Sequence, residues 1–303
     1  PKNPGGAVIE SNVTRHSKVS ALISLHTSAP AWFERVAFVL VGTTHPGNVG
    51  AAARALRAMG LRRLILAAPR DPEVCRDPQA IVRASRADDV LAAAQVVPTL
   101  EEALEPFTLA VAVSADTREF GPMPEPPEAI AEQLHGELAR DEGASVALVF
   151  GPERTGLSIE HVGLCQKVCS IPGDVDYSSL NLSQAVQIVA YCLRAVERRV
   201  GQTGGSVAQS PGGHPGEPAN EAAAGAAATG SGARPATQAQ IAGLFEHLER
   251  ALIDIEFLDP RHPKKLMPRL RRLFGRTRLE AEEVDILRGV CKQIELHSKK
   301  NVR

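Results

Sequence analysis

Apolar residues along the chain follow two alternating patterns. Short runs of β-branched and aliphatic residues, such as Val36–Val41 and Val146–Phe150, alternate with longer segments in which apolar residues recur every three or four positions. The first pattern predicts strands buried on both faces, and the second predicts amphipathic helices. Their alternation between residues 35 and 200 predicts an α/β domain with a mainly parallel sheet.

The individual elements follow from these runs. Strands are predicted at 36–41, 64–67, 95–97, 109–114, 146–150 and 167–171. Helices are predicted at 49–59, 78–87, 100–104, 127–138, 158–164 and, as one long helix, 181–199.

The rest of the chain divides into three parts. Residues 1–34 have weak periodicity and predict a mobile arm, and residues 201–237, rich in Gly, Ala, Ser and Pro, predict a flexible linker. Residues 238–303 predict a small all-α unit of three helices. Such a small unit is marginally stable alone, so we expect it to pack on the main domain or on a second chain. Its predicted apolar positions are Ile241, Leu244, Leu248, Leu252, Ile255, Leu266, Leu270, Leu273, Phe274, Val284, Leu287, Val290, Ile294 and His297.

Composition excludes several classes of protein. The five cysteines are odd in number and scattered, which is typical of reduced, buried thiols in a cytoplasmic protein. Cys165, Cys169 and His161 are too few for a zinc site, so no metal is predicted. No apolar run is long enough to span a membrane, and no secretory signal is recognisable. We therefore expect a cytoplasmic protein.

The net charge of −1 gives no global signal for a nucleic-acid partner, so a basic surface has to be local. Residues 261–278 form one such surface, because they contain no acidic residue. The run is either a solvated face or a patch that contacts RNA phosphates. Its basic residues are Arg261, Lys264, Lys265, Arg269, Arg271, Arg272, Arg276 and Arg278.

Three polar loops flank the predicted core elements. One spans residues 45–50 after the first strand, one spans 151–156 after the strand at 146–150, and one spans 177–181 before the long helix. Ligands of parallel sheets bind beyond the carboxyl ends of the strands. The three loops therefore predict a single composite site.

The first loop permits two interpretations. Asn48 can cap the helix that follows, and Gly50 leaves room for another backbone or for a ligand, but an ordinary strand-to-helix turn has the same composition. Arg54 and Arg57 lie three positions apart on that helix and are neighbours on its surface. They form either a solvated basic face or a guanidinium pair that binds RNA phosphate.

The motifs of these loops occur together in one known superfamily. The stretches N-V-G-A-A-A-R (48–54), F-G-P-E-R-T-G-L (150–157) and Y-S-S-L-N-L-S-Q-A-V-Q (177–187) resemble, in order and spacing, the three motifs of the SPOUT superfamily of RNA methyltransferases. Within it the chain is most similar to the TrmJ family of bacterial tRNA 2'-O-ribose methyltransferases. The resemblance covers residues 35–199 and continues in L-R-R-L-F (270–274) and I-L-R-G (286–289).

This resemblance implies a fold and a reaction. The fold is an α/β domain with a deep trefoil knot at its carboxyl end, a known exception to the absence of threaded chains. The reaction is methyl transfer from S-adenosylmethionine to the ribose of the pyrimidine at tRNA position 32, by a homodimer that needs no metal. The implied cofactor contacts are Val113, Ser114, Ala115, Gly151, Ile171, Ser178, Ser179 and Leu180. The implied catalytic and RNA-positioning residues are Asn48, Arg54, Glu153, Ser179 and Asn181.

Of three alternative functions, the residues disfavour two and leave one open. A sister enzyme that methylates ribosomal RNA would carry the same motifs, and an RNA-binding module without turnover would lack at least one site residue. A nicotinamide-dependent dehydrogenase is disfavoured because the first loop lacks the G-x-G-x-x-G pattern. Since a guanidinium stays protonated in proteins, we hypothesise that Arg54 orients phosphate and stabilises the ribose alkoxide, while Ser179 or a water relays the proton.

Overall fold

The computed structural model describes residues 28–115, 122–174, 179–204 and 234–301. Residues 1–27 of the predicted arm and residues 205–233 of the predicted linker lie outside these residues. The arm is shorter than predicted, because Ala31–Arg35 forms a 3-10 helix whose Trp32 and Phe33 are buried in the main core. Seven parallel strands form one sheet within the described part of the chain. They are β1 (Val36–Val41), β2 (Arg63–Ala67), β3 (Gln95–Val97), β4 (Leu109–Val113), β5 (Pro124–Glu125), β6 (Val146–Phe150) and β7 (Lys167–Cys169), in the spatial order β3-β2-β1-β6-β4-β7-β5.

Helices cover both faces of the sheet and form a separate group after it. Those of the α/β part are α1 (Pro46–Met59), α2 (Pro78–Ala84), α3 (Asp88–Ala92), α4 (Leu100–Leu104), α5 (Pro127–Arg140), α6 (Ile159–Gly163) and α7 (Leu182–Gly204). The group that follows consists of α8 (Gln238–Asp254), α9 (Leu266–Gly275) and α10 (Ala281–Asn301). No helix in the described ranges has the length and apolarity that crossing a membrane requires.

The sheet confirms the predicted α/β class. Every residue of β1 and of β6 is buried, as expected for central strands covered on both faces. All six predicted strands are present, with ends that differ by up to two residues. The additional strand β5 has two residues, one of them Pro124, and pairs only with β7 at the edge of the sheet. So short a segment carries no periodic signal.

Three predicted helices differ from the structure, and one of them is α7, which continues to Gly204 instead of ending at residue 199. Helix α1 begins at Pro46 rather than at residue 49, because proline is well suited to the first helical position. Asn48 therefore lies inside the first turn and does not cap the helix, so that prediction is wrong. The helix predicted at 78–87 ends at Ala84, because Ser85 has a φ of +58° that interrupts it, and α3 follows as a separate helix.

Helices α8 to α10 have a small core of their own. Leu244, Leu279 and Val284 are buried there, and Phe274 packs against them. The side chain of Thr237 caps α8 in a reciprocal arrangement with Gln240. A core of this size contributes little stability, so contacts with the α/β part matter for this group of helices.

Helix α8 begins against the amino ends of β4 and β7. The backbone N–H of Gln238 donates to the carbonyl of Phe107 (2.8 Å), and the Gln238 side chain exchanges hydrogen bonds with the Gln166 side chain (2.8 and 3.1 Å). Gln166 in turn accepts from the backbone N–H of Ala110 in β4 (2.9 Å). Gln238 is buried, so these amides satisfy each other away from water. The helical group therefore packs on the main domain, one of the two expected arrangements.

Helices α1 and α2 approach each other closely at Gly50. A Cβ atom added to Gly50 would lie 2.0 Å from the carbonyl oxygen of Ala80. Gly50 thus leaves room for another backbone rather than for a ligand, which decides between the two interpretations of this residue.

We predict that Gly50→Ala lowers the free energy of unfolding by about 3 kcal/mol, because the neighbouring atom is rigid backbone in an overpacked position. Urea denaturation at neutral pH measures the effect. Gly289→Ala is the matched control, since Gly289 lies within α10 with no atom inside 4 Å of an added Cβ. The control should be stabilised by about 0.5–1 kcal/mol, and equal effects of the two variants would contradict the prediction.

Candidate active site

Four adjacent strands end at one edge of the sheet. Strands β1, β6, β4 and β7 are neighbours in this order and all run parallel, so their carboxyl ends lie side by side. The described residues 42–45, 151–158, 114–115 and 170–174 follow them, and residues 179–181 lead into α7. The predicted convergence of three loops therefore has a direct cause in the order of the strands.

Glu153 is the central acceptor of this edge. Its Oε1 accepts from the side-chain amide of Asn48 (3.0 Å) and from the backbone N–H of His45 (3.3 Å). Its Oε2 accepts from both the backbone N–H (3.2 Å) and the hydroxyl (3.1 Å) of Thr44. Four donors fill the acceptor capacity of one carboxylate. Glu153 therefore holds the loop after β1 in place.

A second contact joins the loop after β1 to the start of α7. The side-chain N–H of Asn181 donates to Oδ1 of Asn48 (3.0 Å). Oδ1 of Asn181 accepts from the backbone N–H (2.9 Å) and the hydroxyl (2.7 Å) of Ser183, so Asn181 caps α7. Glu153, Asn48 and Asn181 thus form one continuous hydrogen-bonded chain across three loops.

The direction of this chain follows from the carboxylate. An ionised Glu153 can only accept, so Asn48 must present its NH₂ group to Glu153 and its oxygen to Asn181. Asn181 must then donate to Asn48 and accept from Ser183. One charged group consequently fixes the orientation of two amides.

The same hydrogen bonds set the charge of Glu153. Burial alone would raise the pKa of this carboxyl, but the hydrogen bonds from Asn48, the loop backbone and Thr44 outweigh burial and lower the pKa. A carboxylate with a lowered pKa and filled acceptor sites is a poor proton acceptor. The geometry is that of a residue that positions the site.

Glycines allow the loop after β6 to fold tightly. A Cβ on Gly151 would lie 2.3 Å from the carbonyl carbon of Gly156, and Gly156 has a φ of +64°. The backbone N–H of Gly156 donates to the carbonyl of Pro152 (3.0 Å). The absence of a side chain at Gly151 is thus required by the loop itself.

Several predicted cofactor contacts lie at the same edge. Val113 and Ile171 pack partly against the main core and stay half-buried, and Leu180 is 41% exposed. Partly open apolar side chains of this kind suit the binding of an adenosine group. Ser114 joins the ends of β4 and β7 through its backbone N–H, which donates to the carbonyl of Cys169 (3.0 Å), and Ala115 follows it. Ser178 lies outside the described residues.

The predicted arginines of α1 differ in their partners. Arg54 is exposed, and in the described part of the chain its guanidinium makes no hydrogen bond or ion pair. Arg57 pairs through Nε with the carboxylate of Asp89 (3.0 Å), which also binds Arg62. Ser179 is exposed beside Leu180. Arg54 is therefore an available cation beside the three loops.

The basic run at 261–278 is not uniform. Arg271 lies over the ring of Phe245 at 4.6 Å, and burial lowers the pKa of its guanidinium despite the opposing charges of Glu249 and Glu246. Arg278 pairs with Glu137 of α5, which links the helical group to the α/β part. Both residues thus serve packing. Those classed as exposed are Arg261, Lys264, Lys265, Arg269, Arg272 and Arg276.

The cysteines behave as buried thiols. Burial raises the pKa of Cys165 and of Cys169 to about 12, so both stay protonated. The thiol of Cys165 donates to the carbonyl of His161 (3.5 Å). Among the described residues, no group of three His, Cys, Asp or Glu side chains is arranged to hold a metal ion.

Comparisons with known proteins match both parts of the chain. The model of the SpoU rRNA methylase family matches residues 35–191, and the model of the C-terminal domain of the tRNA methyltransferase TrmJ matches residues 239–303. The chain belongs to the TrmJ family of SpoU methylases. The prediction of an RNA 2'-O-methyltransferase that uses S-adenosylmethionine is confirmed by this membership.

Individual relatives agree with the family. The tRNA (cytidine/uridine/adenosine-2'-O-)-methyltransferase TrmJ of Pseudomonas aeruginosa is 40% identical over 85% of this chain and 92% of its own length. The crystal structure of TrmJ from Z. mobilis ZM4 covers 86% of this chain and 98% of that one, with 30% identity and a TM-score of 0.67. A probable methyltransferase from Bordetella pertussis Tohama I is 45% identical over 54% of this chain and 96% of its own, with a TM-score of 0.52.

Two residues of the hydrogen-bonded chain were not expected from the sequence. Thr44 supplies two donors to Glu153, and Ser183 supplies two to Asn181. The sequence contains a local signal for the contact of Ser183, because Asn181 followed three positions later by Gln184 is a pattern typical of a helix start. In the structure the side chain of Gln184 accepts from the backbone N–H of Asn181 (3.3 Å). Thr44 has no local signal, since its partner is 109 residues away.

We predict that Glu153→Gln lowers the free energy of unfolding by about 2 kcal/mol at neutral pH, because an amide cannot accept from all four donors. Since the pKa of Glu153 is lowered in the folded state, its stabilisation is complete above about pH 5 and is lost as the pH falls through the native pKa. Urea denaturation of both proteins from pH 3 to pH 8 measures the difference.

The difference in free energy of unfolding between wild type and Glu153→Gln should be constant above about pH 5 and should become smaller at lower pH. Glu142→Gln, at an exposed position in the loop before β6, serves as control and should track the wild type throughout. A difference that grows as the pH falls would contradict the assignment of a lowered pKa.

Proposed function

We propose that this protein transfers a methyl group from S-adenosylmethionine to the 2'-oxygen of the pyrimidine at tRNA position 32. The observation that carries the proposal is the joint match of the catalytic part and of the C-terminal part, the latter to a domain of tRNA methyltransferases. The names of the relatives specify cytidine and uridine, and in one case also adenosine. The alternative, a ribosomal RNA methyltransferase, does not account for the match of residues 239–303 to a domain of tRNA methyltransferases.

In the proposed reaction the bond between sulfur and methyl breaks as the bond from the ribose 2'-oxygen to the methyl carbon forms. S-adenosylmethionine supplies the methyl group as a sulfonium. The protein has to align the ribose with that group and stabilise the negative charge that develops on the 2'-oxygen as its proton leaves. The rigid edge built around Glu153, Asn48 and Asn181 supports the first requirement.

Arg54 supports the second requirement. Its guanidinium has no partner among the described residues and follows Asn48 by less than two turns of α1, so it can reach a phosphate beside the target ribose. As a permanent cation it stabilises the alkoxide without accepting the proton. Ser179, or a water held by it, relays that proton to solvent. Glu153 keeps a positioning role.

The remaining parts of the proposal follow the resemblance. The carboxyl end of the α/β part carries the trefoil knot, and the cofactor is held there by Val113, Ser114, Ala115, Gly151, Ile171, Ser178, Ser179 and Leu180. Two copies of the chain form a homodimer. Tyr191, 57% exposed on the long helix α7, is a candidate contact for the second copy. A tRNA substrate puts the reaction in the cytoplasm.

The basic residues of the helical group dock the tRNA body in this proposal. Helix α8 meets the amino ends of β4 and β7, whereas the candidate site lies at their carboxyl ends. A five-residue strand spans about 17 Å. An RNA that contacts both the helical group and the candidate site must extend beyond the target nucleotide and its immediate neighbours. This requirement supports a folded RNA as the substrate.

Methyl transfer from labelled S-adenosylmethionine to unmodified tRNA tests the function. We expect label at the 2'-oxygen of position 32 and a loss of about 100-fold or more in kcat for Arg54→Ala. Arg54→Lys should recover only part of the activity, because lysine lacks the planar fork. Substrates with C, U or A at position 32 measure base preference. Label on ribosomal RNA alone would contradict the tRNA assignment.

Arg276 and Arg278 provide a matched pair for the docking proposal. Arg276→Gln should weaken tRNA binding several-fold and reduce its salt dependence without changing stability, because Arg276 is exposed. Arg278→Gln should instead lower stability, since Arg278 pairs with Glu137. Fluorescence anisotropy with labelled tRNA and thermal unfolding measure the two effects. Equal tRNA affinity for Arg276→Gln and wild type would refute the docking role.

A further inference from the structure

The arginines around the start of α1 fall into two groups. Arg57 and Arg62 share the carboxylate of Asp89, and Arg76 pairs with Glu73. Arg54, Arg70 and Arg83 are exposed and make no hydrogen bond or ion pair through their side chains in the described part of the chain. These last three arginines all lie near the amino-terminal part of α1.

Arg83 lies against the first turn of α1. Its Cγ is 3.6 Å from the position that a Cβ of Gly47 would occupy, and Gly47 is the residue before Asn48. Gly47, Gly50 and Arg54 share one face of α1, because they are spaced by three and four positions. Helix α2 packs along this face through Ala80, which brings Arg83 to its beginning.

Arg70 is attached to the loop that Glu153 holds. Its backbone N–H donates to the carbonyl of Thr43 (3.0 Å), next to Thr44, which donates twice to Glu153. The preceding residues come from the end of β2, the neighbour of β1. Arg70 and Arg83 therefore border the loop after β1 on the side away from β6.

We propose that Arg70 and Arg83 bind the RNA backbone phosphates beside the target ribose. The proposal rests on the proposed function and names two contacts of the same site. Unpaired guanidiniums bind phosphate by two parallel hydrogen bonds and fix the register of the RNA without reading its bases. Asp71, the nearest acid in sequence, accepts from the backbone N–H of Glu73 (2.9 Å).

Exposed arginines often form only a solvated face, and two observations favour binding. Three neighbouring arginines on the same part of the domain are paired with acids, whereas those that border the site have no such partner among the described residues. Arg70 is also connected to the loop after β1, and Arg83 lies against the first turn of α1 that carries Asn48, so their backbone positions are set with the site. Together with Arg54 they place three positive charges near the amino-terminal part of α1.

The test compares Arg70→Gln/Arg83→Gln with Arg76→Gln in the full-length protein. Binding of unmodified tRNA is measured by anisotropy at several salt concentrations. The double variant should bind about tenfold more weakly, with a slope of log affinity against log salt that is smaller by about two. Arg76→Gln should match the wild type. KM for tRNA should rise while kcat at saturating tRNA and affinity for S-adenosylmethionine stay unchanged.

Charge and structural effects are separated by Arg70→Lys/Arg83→Lys, which should restore most of the salt slope. Phosphate-ethylation interference should show that modification beside nucleotide 32 weakens binding of the wild type but not of the glutamine double variant. Unchanged tRNA affinity and salt slope in that variant, with normal wild-type methylation of position 32, would overturn this inference alone. Absence of wild-type methylation on tRNA would instead refute the proposed function.

Discussion

The site depends on one carboxylate that accepts four hydrogen bonds. Glu153 comes from the loop after β6, and its donors come from the loop after β1 and from the first turn of α1. Because it is ionised and only accepts, it also sets the orientation of Asn48 and, through Asn48, of Asn181. A single charge therefore organises three segments that lie far apart in the sequence. This organisation is possible only because β1 and β6 are neighbours.

The sequence predicted which loops meet but not how they are joined. Parallel strands with polar loops at their carboxyl ends are readable from periodicity, and the three motifs identified the superfamily. Asn48 shows the limit of such reasoning. Its local pattern predicted a helix cap, whereas its partners are Glu153 and Asn181, 105 and 133 residues away. Rules based on neighbouring residues do not predict that a side chain binds partners far away in the sequence instead of nearby backbone groups.

The glycines show the same limit in another form. The composition of the first loop allowed Gly50 to face either a ligand or another backbone, and the packing of α2 decides for the backbone. Gly151, predicted as a cofactor contact, is needed by its own loop, which does not prevent its backbone from facing a ligand. Arg70 and Arg83 have no motif of their own, because their position beside the site follows from strand order and from this helix contact.

Strand β4 runs between the two regions at which we propose that RNA is bound, the helical group and the candidate active site. The backbone N–H of Ala110, near its amino end, donates to Gln166, which holds Gln238 of the helical group. At its carboxyl end, Val113 and Ser114 border the candidate cofactor site. All but the last residue of this strand are buried, so the distance between the two ends of the strand varies little.

The spacing of the RNA contacts is thus set by a rigid element, and a tRNA bound by the helical group has to present its target ribose at a defined distance. Selection by spacing needs no base-specific contact in the helical group, which agrees with the arginines and lysines that make up its exposed basic surface.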